Sequence, residues 1–183
     1  MQILVDADAC PVKQIIVRLA KQYKIPVTML IDTSHVLNDG YSTVITVDKE
    51  ADSVDFALMG ILKREDIVVT QDYGLAAMVI GKGAKAVNQN GLVFTNDNMD
   101  KLLMERHISA KVRRGGGRTK GVPKRTKEDD TRFEEVFVKM LEEMASQNND
   151  VFDYTEWQRN LWNDKSIEEI HDAATTHEEK LNI

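Results

Sequence analysis

The stretch Ile3-Leu4-Val5-Asp6-Ala7-Asp8-Ala9-Cys10-Pro11 decides how the rest of the chain is read. Three consecutive apolar residues predict a short strand buried on both faces. Two aspartates follow, and Pro11 stands where a first-turn proline is tolerated. From there Val12, Ile15, Ile16, Leu19, Ala20 and Tyr23 keep helical spacing, and Val27 to Ile31 is a second strand. Thr43 to Val47 is a third. A helix is expected from about Lys49 to Lys63, with Ala51, Val54, Leu58, Ile61 and Leu62 on its inner face. Ile67-Val68-Val69-Thr70 predicts a fourth strand, Leu75 to Ile80 a short helix stopped by Gly81, and Lys85 to Val87 a fifth strand. Strand and helix alternate at βαβ spacing. The expected fold class is therefore α/β, with a central parallel sheet of about five strands covered by helices and any site at the strands' carboxyl ends.

The 183 residues are 42% apolar and 30% charged, enough for one core of ordinary size and too apolar for global disorder. No apolar run approaches the roughly 18–20 residues of a membrane span. The first residues lack a basic segment and an acid interrupts them at Asp6, so no signal peptide is read there. A single cysteine, Cys10, excludes an internal disulfide and a cysteine-rich zinc site. No histidine lies near it in sequence, so it reads as a small buried hydrophobe. A cytoplasmic setting is expected.

The net charge of −6 conceals an asymmetry. Residues 106–127 carry nine Lys or Arg and no acid, whereas residues 128–183 carry sixteen acids and five bases. Residues 111–127 read as a basic, glycine-rich loop that closes a first domain at about residue 145 together with an amphipathic helix from about Asp130. Residues 146–183 then read as an acidic helical extension, with capping boxes at Thr155-Glu156-Trp157-Gln158 and Ser166-Ile167-Glu168-Glu169. Residues 152–162 of this extension hold both tryptophans and suit docking on the domain, a partner contact or a homodimer. In the loop, Arg113, Arg114, Arg118, Lys120, Lys124 and Arg125 are candidate contacts to a phosphate backbone. Their bland alternative is a solvated loop, or one that pairs with the acidic tail; no aromatic residue interleaves them as a stacking platform.

Acids from distant segments converge at the predicted site. Asp6 and Asp8 follow the first strand, Asp52 and Asp55 open the helix after the third, and Asp72 follows the fourth. By helical spacing, Asp55 sits at the edge of the apolar stripe. Packed carboxylates repel one another unless a cation lies between them. All-oxygen ligands favour Mg²⁺ or Mn²⁺ over zinc. Each acid also has a structural reading: Asp8 and Asp72 as helix caps, Asp52 as a charge favoured at its own helix start.

The motifs Val5-Asp6-Ala7-Asp8-Ala9-Cys10-Pro11, Asp52-Ser53-Val54-Asp55 and Asp66-Ile67-Val68-Val69-Thr70-Gln71-Asp72 resemble those of the YaiI/YqxD family of uncharacterised bacterial proteins. Leu75-Ala76-Ala77, Lys82-Gly83-Ala84 and Asn88-Gln89-Asn90-Gly91 extend the likeness, which covers about residues 1–145. That family is similar to PIN-like nuclease domains. The resemblance implies a three-layer domain in which Asp6, Asp55 and Asp72 are catalytic metal ligands, with Asp8 and Asp52 supporting. Tyr73-Gly74 departs from an Ile-Pro usual there, and Asp130 stands where an arginine is common.

The leading expectation is therefore a metal-dependent nuclease that acts on nucleic acid, RNA favoured. A non-catalytic RNA-binding or regulatory module is the alternative. Asp6-Ala7-Asp8 also imitates the nucleophile pair of a haloacid-dehalogenase-like phosphatase, but Cys10 and a lone Asp72 fit that pattern poorly.

Overall fold

A computed structural model describes residues 1–8, 10–49, 53–116 and 124–147. In chain order they form β1 (Ile3–Asp6), α1 (Lys13–Tyr23), β2 (Val27–Asp32), β3 (Thr43–Val47), α2 (Ser53–Ile61) and β4 (Ile67–Val69). There follow α3 (Tyr73–Gly81), β5 (Lys85–Val87), β6 (Val93–Phe94), α4 (Asn96–Arg114) and α5 (Lys127–Gln147). Among the described residues the strands make one six-stranded sheet in the order β3-β2-β1-β4-β5-β6. All neighbours are parallel except β5 and β6.

The register aligns the chemistry. Val5 pairs with both Met29 and Val69, and Asp6 pairs with Leu30. The carboxyl ends of β1, β2 and β4 therefore open side by side. Alternate residues feed opposite faces. Leu4, Leu30, Val68 and Ala86 pack with Leu58, Leu75, Val79 and Met99 from α2, α3 and α4. Ile3, Val5, Met29 and Val69 are equally buried on the other face. Ile16 and Leu19 of α1 and Phe133, Phe137 and Leu141 of α5 supply further buried side chains. A 2.7 Å Arg18–Glu134 ion pair links those two helices. The aromatic rings of Phe133 and Phe137 stack with centroids 5.2 Å apart.

The expected α/β fold with a mostly parallel sheet is present, and three details are refined. The sheet has a sixth, antiparallel strand, β6, too short to show periodicity. The loop expected over 111–127 is helical as far as Arg114, because α4 runs through it. A capping box between Thr95 and Asn98 starts α4, and Lys111, Arg113 and Arg114 fall in its last turn, where cations complement the helix dipole. Residues 117–123 lie outside the described residues, so the loop reading is left for them. α5 starts at Lys127 rather than Asp130, with Thr126 and Asp129 exchanging hydrogen bonds just ahead of it. The expected helices and docking segment within 148–183 lie outside the described residues. The chain divides into compact units Met1–Glu142 and Glu143–Ile183. Among the described residues, no helix is long and apolar enough to cross a membrane.

The β5–β6 turn shows how tightly the sheet edge is held. The Asn88 side chain accepts from the backbone of Asn90 and Leu92, and Gly91 sits at φ +79°. A Cβ on Gly91 would lie 3.0 Å from the backbone oxygen of Arg132. Both the left-handed backbone and the contact oppose a side chain. Gly91→Ala is expected to lower stability by about 1–3 kcal/mol, read as a lower urea midpoint at unchanged slope.

Candidate functional site

Asp6 leaves the end of β1 half-buried. The parallel register puts Thr70 beside it, and the buried Thr70 hydroxyl donates to Asp6 Oδ2 at 2.9 Å. The same oxygen of Thr70 accepts the backbone N–H of Asp72 at 3.0 Å. A short polar relay thus ties the two aspartates across the β1–β4 seam. Burial pushes the Asp6 carboxyl above its ordinary value; the Thr70 hydroxyl opposes this, and the charges of Asp8 and Asp72 add to the rise.

Asp72 is the N-cap of α3. Its Oδ1 accepts the backbone N–H of Gly74 at 2.6 Å and of Leu75 at 3.1 Å. Arg106, reaching over from α4, donates to Oδ1 at 3.3 Å and to Oδ2 at 3.1 Å. Burial raises the carboxyl, but the Arg106 guanidinium and the two cap N–H groups outweigh it and hold Asp72 below the usual range. The structural reading of Asp72 as a cap therefore holds alongside its place at the site.

Asp8 turns toward β2. Both its oxygens accept the backbone N–H of Asp32, at 3.1 and 3.0 Å. His35 Nδ1 lies 3.0 Å from Asp8 Oδ1 and 3.1 Å from Asp32 Oδ1. Hydrogen bonds from Ser34 and His35 hold Asp32 below the usual carboxylate range. Among the described residues, Asp8, Asp32 and His35 are the group whose ligand atoms all lie within 4.8 Å of one another. Sequence reasoning missed Asp32 and His35. The signal was available, since Asp32 ends the apolar run of β2 as Asp6 ends that of β1.

Asp55 falls in the first turn of α2 and is half-buried, while Asp52 lies outside the described residues. Of the basic candidates, Arg113 and Arg114 are exposed on the last turn of α4, and Lys124 is exposed beyond the gap. Arg118 and Lys120 lie outside the described residues. Arg125 is largely buried and engaged within the fold: it donates to Asp130 Oδ1 at 2.6 Å, Asn90 Oδ1 at 3.0 Å and the Gln89 carbonyl at 2.9 Å. This clamps the start of α5 to the β5–β6 turn and gives Asp130 its role. Cys10 is buried, and burial raises its thiol, as suits an unreactive side chain.

The family described as "Uncharacterized BCR, YaiI/YqxD family" matches residues 4–143. A UPF0178 protein of Ruminiclostridium cellulolyticum is 64% identical over 138 residues, covering 75% of this chain and 90% of its own length. One from Clostridium acetobutylicum is 54% identical over 143 residues, covering 77% and 97%. Another, from Lachnoclostridium phytofermentans, is 53% identical over 149 residues, covering 80% and 100%. No solved structure matches. The family match over residues 4–143 spans the strand-end aspartates, and by that extent and by the identity of its relatives the chain belongs to the YaiI/YqxD family.

Proposed function

We propose that this protein is a divalent-metal-dependent nuclease that hydrolyses phosphodiester bonds, in RNA by preference. The observation that carries the reading is Asp6. Its half-buried carboxylate accepts from the Thr70 hydroxyl and feels the charges of Asp8 and Asp72, a setting that favours a cation. In this reading Asp6 and Asp72, tied across the β1–β4 seam by Thr70, are oxygen ligands of a hard ion, and Asp55 from α2 completes the set that the resemblance implies, with Asp8 and Asp52 in supporting roles. When bound, Mg²⁺ or Mn²⁺ supplies an activated water and stabilises charge on a phosphoryl oxygen.

The chain's own residues do the remainder. Thr70 orients Asp6, and Asp72 is fixed by its cap. Exposed Arg113 and Arg114 extend α4 as phosphate contacts, with Arg118, Lys120 and Lys124 following in sequence. The resemblance to PIN-like domains agrees with acids placed at the carboxyl ends of parallel strands.

The second reading, a nucleic-acid-binding module without turnover, is favoured by a specific contact. Both oxygens of Asp72 are already engaged by Gly74, Leu75 and Arg106.

Cleavage decides between them. Purified protein is incubated with labelled single-stranded and structured RNA and DNA, with EDTA, Mg²⁺ or Mn²⁺. Metal-dependent cleavage is expected, falling roughly 10²–10³-fold in Asp6→Asn and Asp72→Asn, as when a charge-stabilising group is removed. Asn retains the capping oxygen, so Asp72→Asn keeps the fold. No cleavage by wild type, with RNA binding intact in both variants, would leave the binding module.

A further inference from the structure

We infer that Arg106 moves between Asp72 and a phosphate of the substrate, so that divalent metal and phosphodiester load the site together. This rests on the metal-dependent reading above and names how that site is regulated. Arg106 is the cation seated on one of the proposed metal ligands. Its two terminal nitrogens bracket Asp72, and Oδ2, the oxygen not used by the cap, faces only Arg106 Nη2 among the contacts described. A metal ion drawing on that oxygen and a guanidinium cannot share it without repulsion.

The pair is built to part. Side chains of Arg106 and Asp72 are 49% and 38% exposed, and ion pairs this open are weak. The guanidinium has an anchor that does not depend on the carboxylate, since its centre lies 5.8 Å from the ring centroid of Tyr73. That ring in turn packs edge-on against Phe94, 5.7 Å away. An arginine released from Asp72 therefore stays at the mouth of the site. Its planar fork fits two phosphate oxygens as well as two carboxylate oxygens. A phosphodiester offered next to the metal gives Arg106 an anion in exchange for the one it leaves. Metal and substrate then strengthen each other's binding, and the coupling must be reciprocal.

The test is Mn²⁺ titration of the full-length protein by electron paramagnetic resonance, with and without a phosphorothioate-linked 12-nucleotide RNA. Wild type is expected to bind Mn²⁺ about tenfold more tightly when the RNA is present. Arg106→Gln should bind Mn²⁺ at least about fivefold more tightly than wild type without RNA, and should gain little when RNA is added. Arg106→Lys keeps the charge without the fork and should show intermediate coupling. Equal Mn²⁺ affinity and equal coupling in all three proteins would overturn the role of Arg106 and leave the metal site standing. No Mn²⁺ binding by any of them would overturn both.

Discussion

Asp6→Asn is expected to make the metal-free protein more stable and, in the same change, to remove its stabilisation by Mn²⁺. Burial and the neighbouring charges of Asp8 and Asp72 raise the Asp6 carboxyl in the folded chain. A carboxyl raised on folding opposes stability wherever it is ionised in the folded state. The penalty is full at neutral pH, shrinks as pH falls below the raised folded value and is gone only below the ordinary value of 3.8. Asn carries no charge, so the variant gains at neutral pH and its advantage shrinks on acidification. Metal binding has the opposite demand, because the ion needs the carboxylate and competes with the proton. At a Mn²⁺ concentration of a hundred times Kd, wild type should gain about 2.7 kcal/mol and the variant almost nothing. Thermal unfolding between pH 4 and 8, in EDTA and in Mn²⁺, reads both effects. A variant destabilised in EDTA would show Asp6 to be a structural acid.

Asp66→Ala should produce the contrary pattern: a large loss of stability with metal binding retained. Asp66 precedes β4 and so lies at the opposite end of the strand from Asp72. It is fully buried. Oδ1 accepts the backbone N–H of Gln2 at 2.9 Å, and Oδ2 accepts that of Lys63 at 2.9 Å and the Gln2 side-chain amide at 3.1 Å. One carboxylate thus ties the start of β1 and the exit of α2 to the start of β4. Alanine would leave three part-buried donors without their acceptor, and at the low end of about 1–3 kcal/mol each the loss is about 3 kcal/mol or more. That is a large share of an ordinary domain's stability of roughly 5–15 kcal/mol. Urea unfolding measures the loss, and Mn²⁺ titration at a temperature where the variant is folded checks that the distant site is intact. A drop under 1 kcal/mol would refute the bracing role.

The contrast between Asp6 and Asp66 shows what local sequence can carry. Both acids flank a three-residue apolar run, and composition does not separate them. Topology does, because parallel strands gather their carboxyl ends at one edge and their amino ends at the other. The alternation that predicts parallel strands therefore points to Asp6, Asp8 and Asp72, and the same rule applied to β2 would have added Asp32. His35 follows only from the turn that returns it to Asp8. β6 escaped because two residues show no period, and α4 because Met99 is its single buried residue. Its capping box was legible at Thr95 and Asn98. Arg106 had no local signal at all. It meets Asp72 across 34 positions of sequence through the packing of α4 on α3, and only the assembled fold brings that pair together.

The most direct test of the account is an anomalous difference map from crystals of the full-length protein soaked in Mn²⁺. A metal peak coordinated by Asp6 and Asp72, with Arg106 withdrawn from Asp72, is the predicted result. A peak confined to Asp8, Asp32 and His35, or no peak at all, would contradict it.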